Sequence, residues 1–99
     1  MHYILENDVP KLEPDTVAWA LWFQTAQRQV ADDELPSGTR VSTVFLSIDH
    51  NFSGRGEPVL YETMIFGGPL DEEQWRYHTK DEALAGHAAA LVAARQAER

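Results

Sequence analysis

The sequence predicts a single α+β domain in which a small antiparallel sheet of three to four strands packs against two α-helices. Three observations lead there. Two β-branched and aromatic runs, Arg40 to Ile48 and Val59 to Phe66, flank a loop containing Gly and Asn and read as antiparallel partners. Ahead of them Trp19, Trp22, Phe23, Ala26 and Val30 recur at three- and four-residue spacings, the period of a helix with one buried side. Behind them Thr79-Lys80-Asp81-Glu82 has the form of a capping box, in which the Thr hydroxyl and Glu carboxylate each satisfy a backbone N–H at a helix start.

Each element has its own justification. His2 to Leu5 is short and apolar and is ended by Glu6, Asn7 and Asp8, so it reads as a strand. Pro14 suits the first turn of a helix, where its missing N–H is no loss, and the first helix is expected from about residue 14 to 31. Leu35-Pro36-Ser37-Gly38 follows as a loop. In the strand from Arg40, Ser42, Val44, Leu46 and Ile48 take one face and Val41, Thr43, Phe45 and Ser47 the other. Its partner is stopped by Gly67-Gly68-Pro69, and Gln74 to His78 offers a fourth strand. The second helix runs to near Arg99, with Leu84, Ala88, Leu91 and Val92 as its apolar side among many alanines. The order is therefore β-α-β-β-(β)-α, and Trp19, Phe23, Leu84 and Leu91 are expected to be substantially buried.

Composition narrows the function classes. At 99 residues with 43% hydrophobic residues and three Trp, the chain has enough apolar surface for one core and too much for a disordered segment. It has no cysteine, which excludes disulfide and thiolate-metal chemistry and fits a reducing cytoplasm. Met1 to Lys11 lacks the basic segment and apolar run of a signal peptide, and no stretch has the apolar length of a membrane span. A cytoplasmic location with no membrane contact is the expectation. The formal charge of −8 repels phosphate backbones, so direct nucleic-acid binding is disfavoured.

Several motifs resemble reactive sites and fall short. Asp49-His50-Asn51-Phe52-Ser53-Gly54 copies the first half of a calcium loop, with Asp49, Asn51 and Ser53 at alternate positions, but its twelfth position is Leu60 where a bidentate Glu is needed. An Asx-type turn is the simpler reading. His2, His50, His78 and His87 include no pair at metal-binding spacing, and His87, between Leu84 and Leu91, is expected at the core margin with a hydrogen-bond partner. Ser42, Ser47 or Ser53 with His50 and Asp49 lacks the elbow of a serine hydrolase. Gly67-Gly68-Pro69 lacks the Lys-Ser/Thr pair of a phosphate loop. Glu62 alternates with Leu60, Met64 and Phe66; it is either a buried general base or, more simply, an edge-of-sheet Glu paired with Arg40 or Arg76. No catalytic residue, metal or cofactor is assigned.

The acidic residues carry the strongest functional signal. Asp32-Asp33-Glu34 is placed at or just past the end of the first helix, where the helix dipole disfavours anions, so helix stability does not account for it. Asp71-Glu72-Glu73 forms a second run in an expected loop. These six residues are the expected partner-binding set, a surface made to meet Lys and Arg.

Taken together, His2-Tyr3-Ile4-Leu5, Trp19 with Trp22-Phe23, Val41-Ser42-Thr43-Val44-Phe45-Leu46, Asp49-His50-Asn51-Phe52, Glu62-Thr63-Met64, Phe66-Gly67-Gly68, Arg76-Tyr77 and Gly86-His87 resemble a family of small proteins encoded by bacteriophages and prophages. The likeness spans nearly the whole chain. It implies a genomic setting and no catalytic residues, because the family is mostly uncharacterised open reading frames. Small acidic phage accessory proteins often antagonise host defence, with anti-CRISPR proteins the best-known kind. What the resemblance implies is a non-enzymatic inhibitor in the host cytoplasm that docks on a basic nucleic-acid-binding protein, such as a Cas complex. Its rivals are an assembly accessory of the phage particle and a small hydrolase, metal-dependent or acid/base, using Glu62, Asp49 and His50.

Overall fold

A computed structural model describes residues 1–99. Its elements are β1 (Tyr3–Glu6), β2 (Val9–Leu12), α1 (Thr16–Thr25), β3 (Gln29–Glu34), β4 (Arg40–Phe45), β5 (Tyr61–Phe66), β6 (Gln74–Tyr77) and α2 (Lys80–Ala97). The α+β class and the general order are as expected. The sheet is antiparallel in the order β3-β4-β5-β6, and β1 and β2 form a separate hairpin. No helix is long and apolar enough to cross a membrane.

The central pair holds the register that its alternation predicts, with Val41 opposite Ile65, Thr43 opposite Thr63 and Phe45 opposite Tyr61. Regular pairing ends at Phe45, two residues before Ser47 enters the left-handed region at φ 70°. The hairpin β1–β2 takes over there. Tyr3 donates its N–H to the Ser47 carbonyl at 2.8 Å, and the Trp19 indole N–H lies 3.2 Å from both the Tyr3 and Ser47 carbonyls. Trp19 is thus a clamp between α1, β1 and the end of β4.

The first helix is shorter than the sequence predicts. Asp15 is its N-cap, accepting from the Val17 and Ala18 amides at 3.0 and 3.3 Å, so Pro14 lies before the helix instead of in its first turn. The helix stops at Thr25, and Val30 belongs to β3. Pairing with β4 outcompetes local helix propensity, a tertiary override of a weak preference. Trp22 meets Phe45 edge-on at 6.1 Å between ring centroids. Trp19 and Phe23 are half-buried, and α1 leans on β1 instead of covering the sheet.

The sheet face is covered by α2. Thr79 and Glu82 form the capping box, each side chain accepting from the other's amide at 3.1 Å. The buried side of α2 is Ala83, His87, Ala90 and Ala94, which differs from the expected Leu84, Ala88, Leu91 and Val92. Leu84 and Val92 are 43% and 50% exposed, and only Leu91 packs against the core, joining Leu35, Val41, Ile65, Ala90 and Ala94. Small side chains let the helix approach the large residues of the sheet closely, so the bulk of this core comes from the strands. Phe45, Leu60, Tyr61 and Ala83 form the second half of the core.

Two carboxylates at the ends of α2, Glu82 in its first turn and Glu98 at its C-cap, sit below their ordinary value of 4.5. The amides of His78 and Thr79 hold Glu82 down, and the hydroxyls of Ser37 and Thr39 hold Glu98 down. A folded-state pKa below the unfolded one adds stability that is present above the unfolded value and lost as pH falls through the folded value. The melting temperature is therefore expected to drop as pH falls from about 5 to about 2. Thermal melts of wild type and Glu98→Gln across that range check the contribution of Glu98, since the variant should show the shallower acid decline.

Candidate functional site

The sheet register gathers the two acidic runs at one end of the molecule. Asp32, Asp33 and Glu34 lie in β3, opposite Ser42, Val41 and Arg40 of β4. This corrects their expected position at the end of the first helix and removes the dipole argument for them. The strand reading has its own physical logic, because β3 is an edge strand and charged side chains on an edge discourage pairing with other chains. Asp71, Glu72 and Glu73 lie in the loop between β5 and β6. Asp33 is opposite Val41, Val41 opposite Ile65, and the Ile65 amide donates to the Glu73 carbonyl. One residue of each run, Asp33 and Glu73, therefore lies on a common row of the sheet, at opposite edges roughly 14 Å apart at about 4.8 Å per strand.

The six carboxylates are not equivalent. Asp32 receives the Arg40 guanidinium at 2.7 and 3.3 Å, which holds its carboxyl below the usual range. Asp33 faces α2 and accepts from His87 Nε2 at 2.8 Å. Asp71 accepts from the Gly67 amide at 2.6 Å and shapes its own loop. Glu34, Glu72 and Glu73 make no side-chain hydrogen bond or ion pair. These three are the carboxylates free to meet a partner.

Glu98 completes the acidic end, and sequence reasoning missed it. It accepts from Ser37 Oγ at 2.6 Å and from Thr39 Oγ1 at 2.5 Å. Together with Gly67, Gly68 and Pro69 these residues line an open depression of about 630 Å³. Gly68 is required there, since its φ is +71° and a Cβ would come 2.7 Å from Thr39 Oγ1. A carboxylate in the wall and a Gly67 amide already committed to Asp71 make the depression hostile to phosphate, which accords with reading Gly67-Gly68-Pro69 as a turn. Against these carboxylates the same end offers Arg40, paired with Asp32, and Arg95 and Arg99 at the end of α2.

A second constellation lies beneath the first. His87 Nδ1 is 2.7 Å from Thr43 Oγ1, which is 2.5 Å from Thr63 Oγ1. With Asp33 this makes a chain of hydroxyl, hydroxyl, imidazole and carboxylate. When Nε2 carries the ring proton toward Asp33, Nδ1 accepts from Thr43, and Thr43 accepts from Thr63. The order of groups is that of a nucleophile, base and orienting acid. The geometry is wrong for attack, because both Thr side chains are fully buried between α2 and the sheet and none of the cavities opens on them. The chain satisfies polar groups in the core, as expected for His87.

The remaining candidates are separated and occupied. Asp49 Oδ1 accepts from the Asn51 and Val59 amides at 2.7 and 2.9 Å; burial opposes its ionisation, but these amides outweigh it and hold the carboxyl low. Asn51 donates to the Arg55 and Glu57 carbonyls and accepts from Ser53. The loop spends its polar groups on its own backbone, as an Asx-type turn does. Glu62 pairs with Arg76 at 2.8 Å, the simpler of its two readings, but on an inner strand and not at the expected sheet edge, since β5 lies between β4 and β6. His50 and His78 bond the Ile48 and Pro58 carbonyls, and His2 stacks on Trp19 at 4.2 Å, so each histidine serves a different element.

No family model, curated protein or solved structure matches this chain.

Proposed function

We propose that this protein is a non-enzymatic binding module that sets its acidic end against a basic, nucleic-acid-binding surface of another protein and obstructs it. The placement of Asp32-Asp33-Glu34 on the β3 edge and of Asp71-Glu72-Glu73 in the β5–β6 loop, at one end of the sheet, carries the reading. Charges so placed steer a basic partner and fix its orientation. The face is too small to imitate a duplex, which presents a charge every ~1.7 Å of axis, so local obstruction is the mode. The phage-type resemblance makes a host defence complex, and an anti-CRISPR role against a Cas effector, the first target to test.

The test reverses the free carboxylates and spares the structural ones. Asp33 holds His87 and Asp32 holds Arg40, so changing those two would disturb the fold as well as the charge. Glu34→Lys, Glu72→Lys and Glu73→Lys combined should leave stability within about 1 kcal/mol. Against a purified Cas ribonucleoprotein, the triple variant is expected to associate at least about tenfold more slowly than wild type. Wild-type binding should weaken as salt rises past physiological strength, where the screening length is about 8 Å. A folded triple variant that binds as fast and as tightly as wild type at both salts, or a wild type that does not bind, overturns the proposal.

A further inference from the structure

The two edges of the sheet are built differently. On β3 the residue pointing toward α2 is Asp33, an inward charge that guards the edge. On β6 the corresponding residues are Trp75 and Tyr77, which line a groove of about 280 Å³ with Gly86, Ala89, Ala90 and Ala93 of α2. The bond from the Ile65 amide to the Glu73 carbonyl fixes which backbone groups of β6 face inward. By antiparallel alternation, Trp75 and Tyr77 bond to β5, and the N–H and C=O of Gln74 and Arg76 point outward, where no further strand lies. An unpaired edge without an inward charge thus runs beside an apolar groove. Trp75 stays 37% exposed at its rim, although large aromatics are the residues interfaces favour.

We propose that the outer edge of β6 and the groove against α2 accept an extended segment of a partner protein as an added strand, with alternating apolar side chains followed by Lys or Arg. The segment pairs antiparallel with β6 through the outward groups of Gln74 and Arg76, and every second side chain drops into the groove, the mode of strand addition. The groove is smaller than the ~300–1,000 Å³ typical of small-molecule pockets, which suits one or two aliphatic side chains. Charge sets the flank. Glu72 and Glu73 precede Gln74, so an antiparallel strand leaves the groove toward them at its C-terminal end, where a basic residue is complementary. A second copy of this chain is the weaker occupant, because it too carries a charge of −8. The site goes beyond the acidic-end reading, for Gln74, Trp75 and the alanines lie outside that surface and only Glu72 and Glu73 are common to both.

The probe is a fluorescein-labelled peptide, acetyl-Thr-Val-Thr-Val-Thr-Lys-Arg-amide, titrated into the full chain by fluorescence polarisation. Saturable binding with Kd below about 1 mM is expected, with slower amide exchange at Gln74 and Arg76 when peptide is present. Ala89→Glu places a charge in the groove at an exposed, helix-compatible position, and Gln74→Pro removes an outward donor without touching the ladder to β5. Each should weaken binding at least about tenfold while the circular dichroism stays as in wild type. Glu34→Lys, which belongs to the acidic end alone, should leave peptide binding unchanged, so this site and the proposed function fail separately. The proposal is overturned by absence of saturable binding, or by equal binding of a peptide N-methylated at alternate residues. Unchanged affinity in folded Ala89→Glu also overturns it, as does a concentration-dependent dimer of wild type that Gln74→Pro abolishes.

Discussion

Replacing His87 by alanine is expected to lower the unfolding free energy by about 2–4 kcal/mol, among the largest effects of any single change in this chain. Two costs combine. The imidazole is 5% exposed and bonded at both nitrogens, so its removal leaves a cavity and strands a buried Thr43 hydroxyl without one of its partners. A buried donor left unsatisfied costs about 1–3 kcal/mol. Asp33, whose side chain is 55% exposed, returns to water and adds little. Restoring apolar consistency should reverse most of the loss, because replacing all partners of a buried polar chain can be nearly neutral. The triple variant His87→Leu, Thr43→Val, Thr63→Val is therefore expected to be clearly more stable than His87→Ala and to approach wild type. Urea unfolding with a constant m-value measures both. A triple variant as unstable as His87→Ala would mean that the chain contributes more than satisfied hydrogen bonds.

The contrast between β3 and β4 explains how much of the fold was legible in the sequence. Arg40 to Phe45 alternates and is β-branched, and being central it is paired on both sides, so local pattern and tertiary context agree. Gln29 to Glu34 carries almost no β propensity; β4 specifies it from outside, and nothing in a local window reports that. The phase of α2 was misread for a related reason. Leu84, Leu91 and Val92 are its most apolar residues, but the helix turns Ala83, Ala90 and Ala94 inward and keeps only Leu91 of the three against the core, because the sheet supplies the volume. A signal was present, since alanines and His87 recur at three- and four-residue spacings around Gly86. For the candidate site, the six acidic residues could be read as composition. Their convergence required the row from Asp33 through Val41 and Ile65 to Glu73, a product of register. The links from Asp33 to His87 and from Ser37 to Glu98 join residues distant in the chain and left no local trace.

Gly86→Ala is expected to destabilise the protein by about 1–3 kcal/mol, against the local preference of a helix. In an exposed helix interior the same change would gain about 1 kcal/mol, since glycine is the poorer helix former. Here a Cβ would overlap the ring and hydroxyl of Tyr77. No backbone strain relieves the clash, for Gly86 is not among the glycines of positive φ, so space alone decides the sign. The ring of Tyr77 packs against Phe45, Leu60, Tyr61 and Ala83, and it must either force α2 outward or leave that cluster. A double-mutant cycle separates the two effects. In a Tyr77→Ala background the overlap is gone, and Gly86→Ala should become stabilising by up to about 1 kcal/mol. The same cycle bears on the strand-acceptor groove, because Gly86 and Tyr77 form its wall; displacing the ring should weaken the peptide even where the fold survives. If Gly86→Ala carries the same sign in both backgrounds, the close approach of β6 to α2 is not what selects glycine at this position.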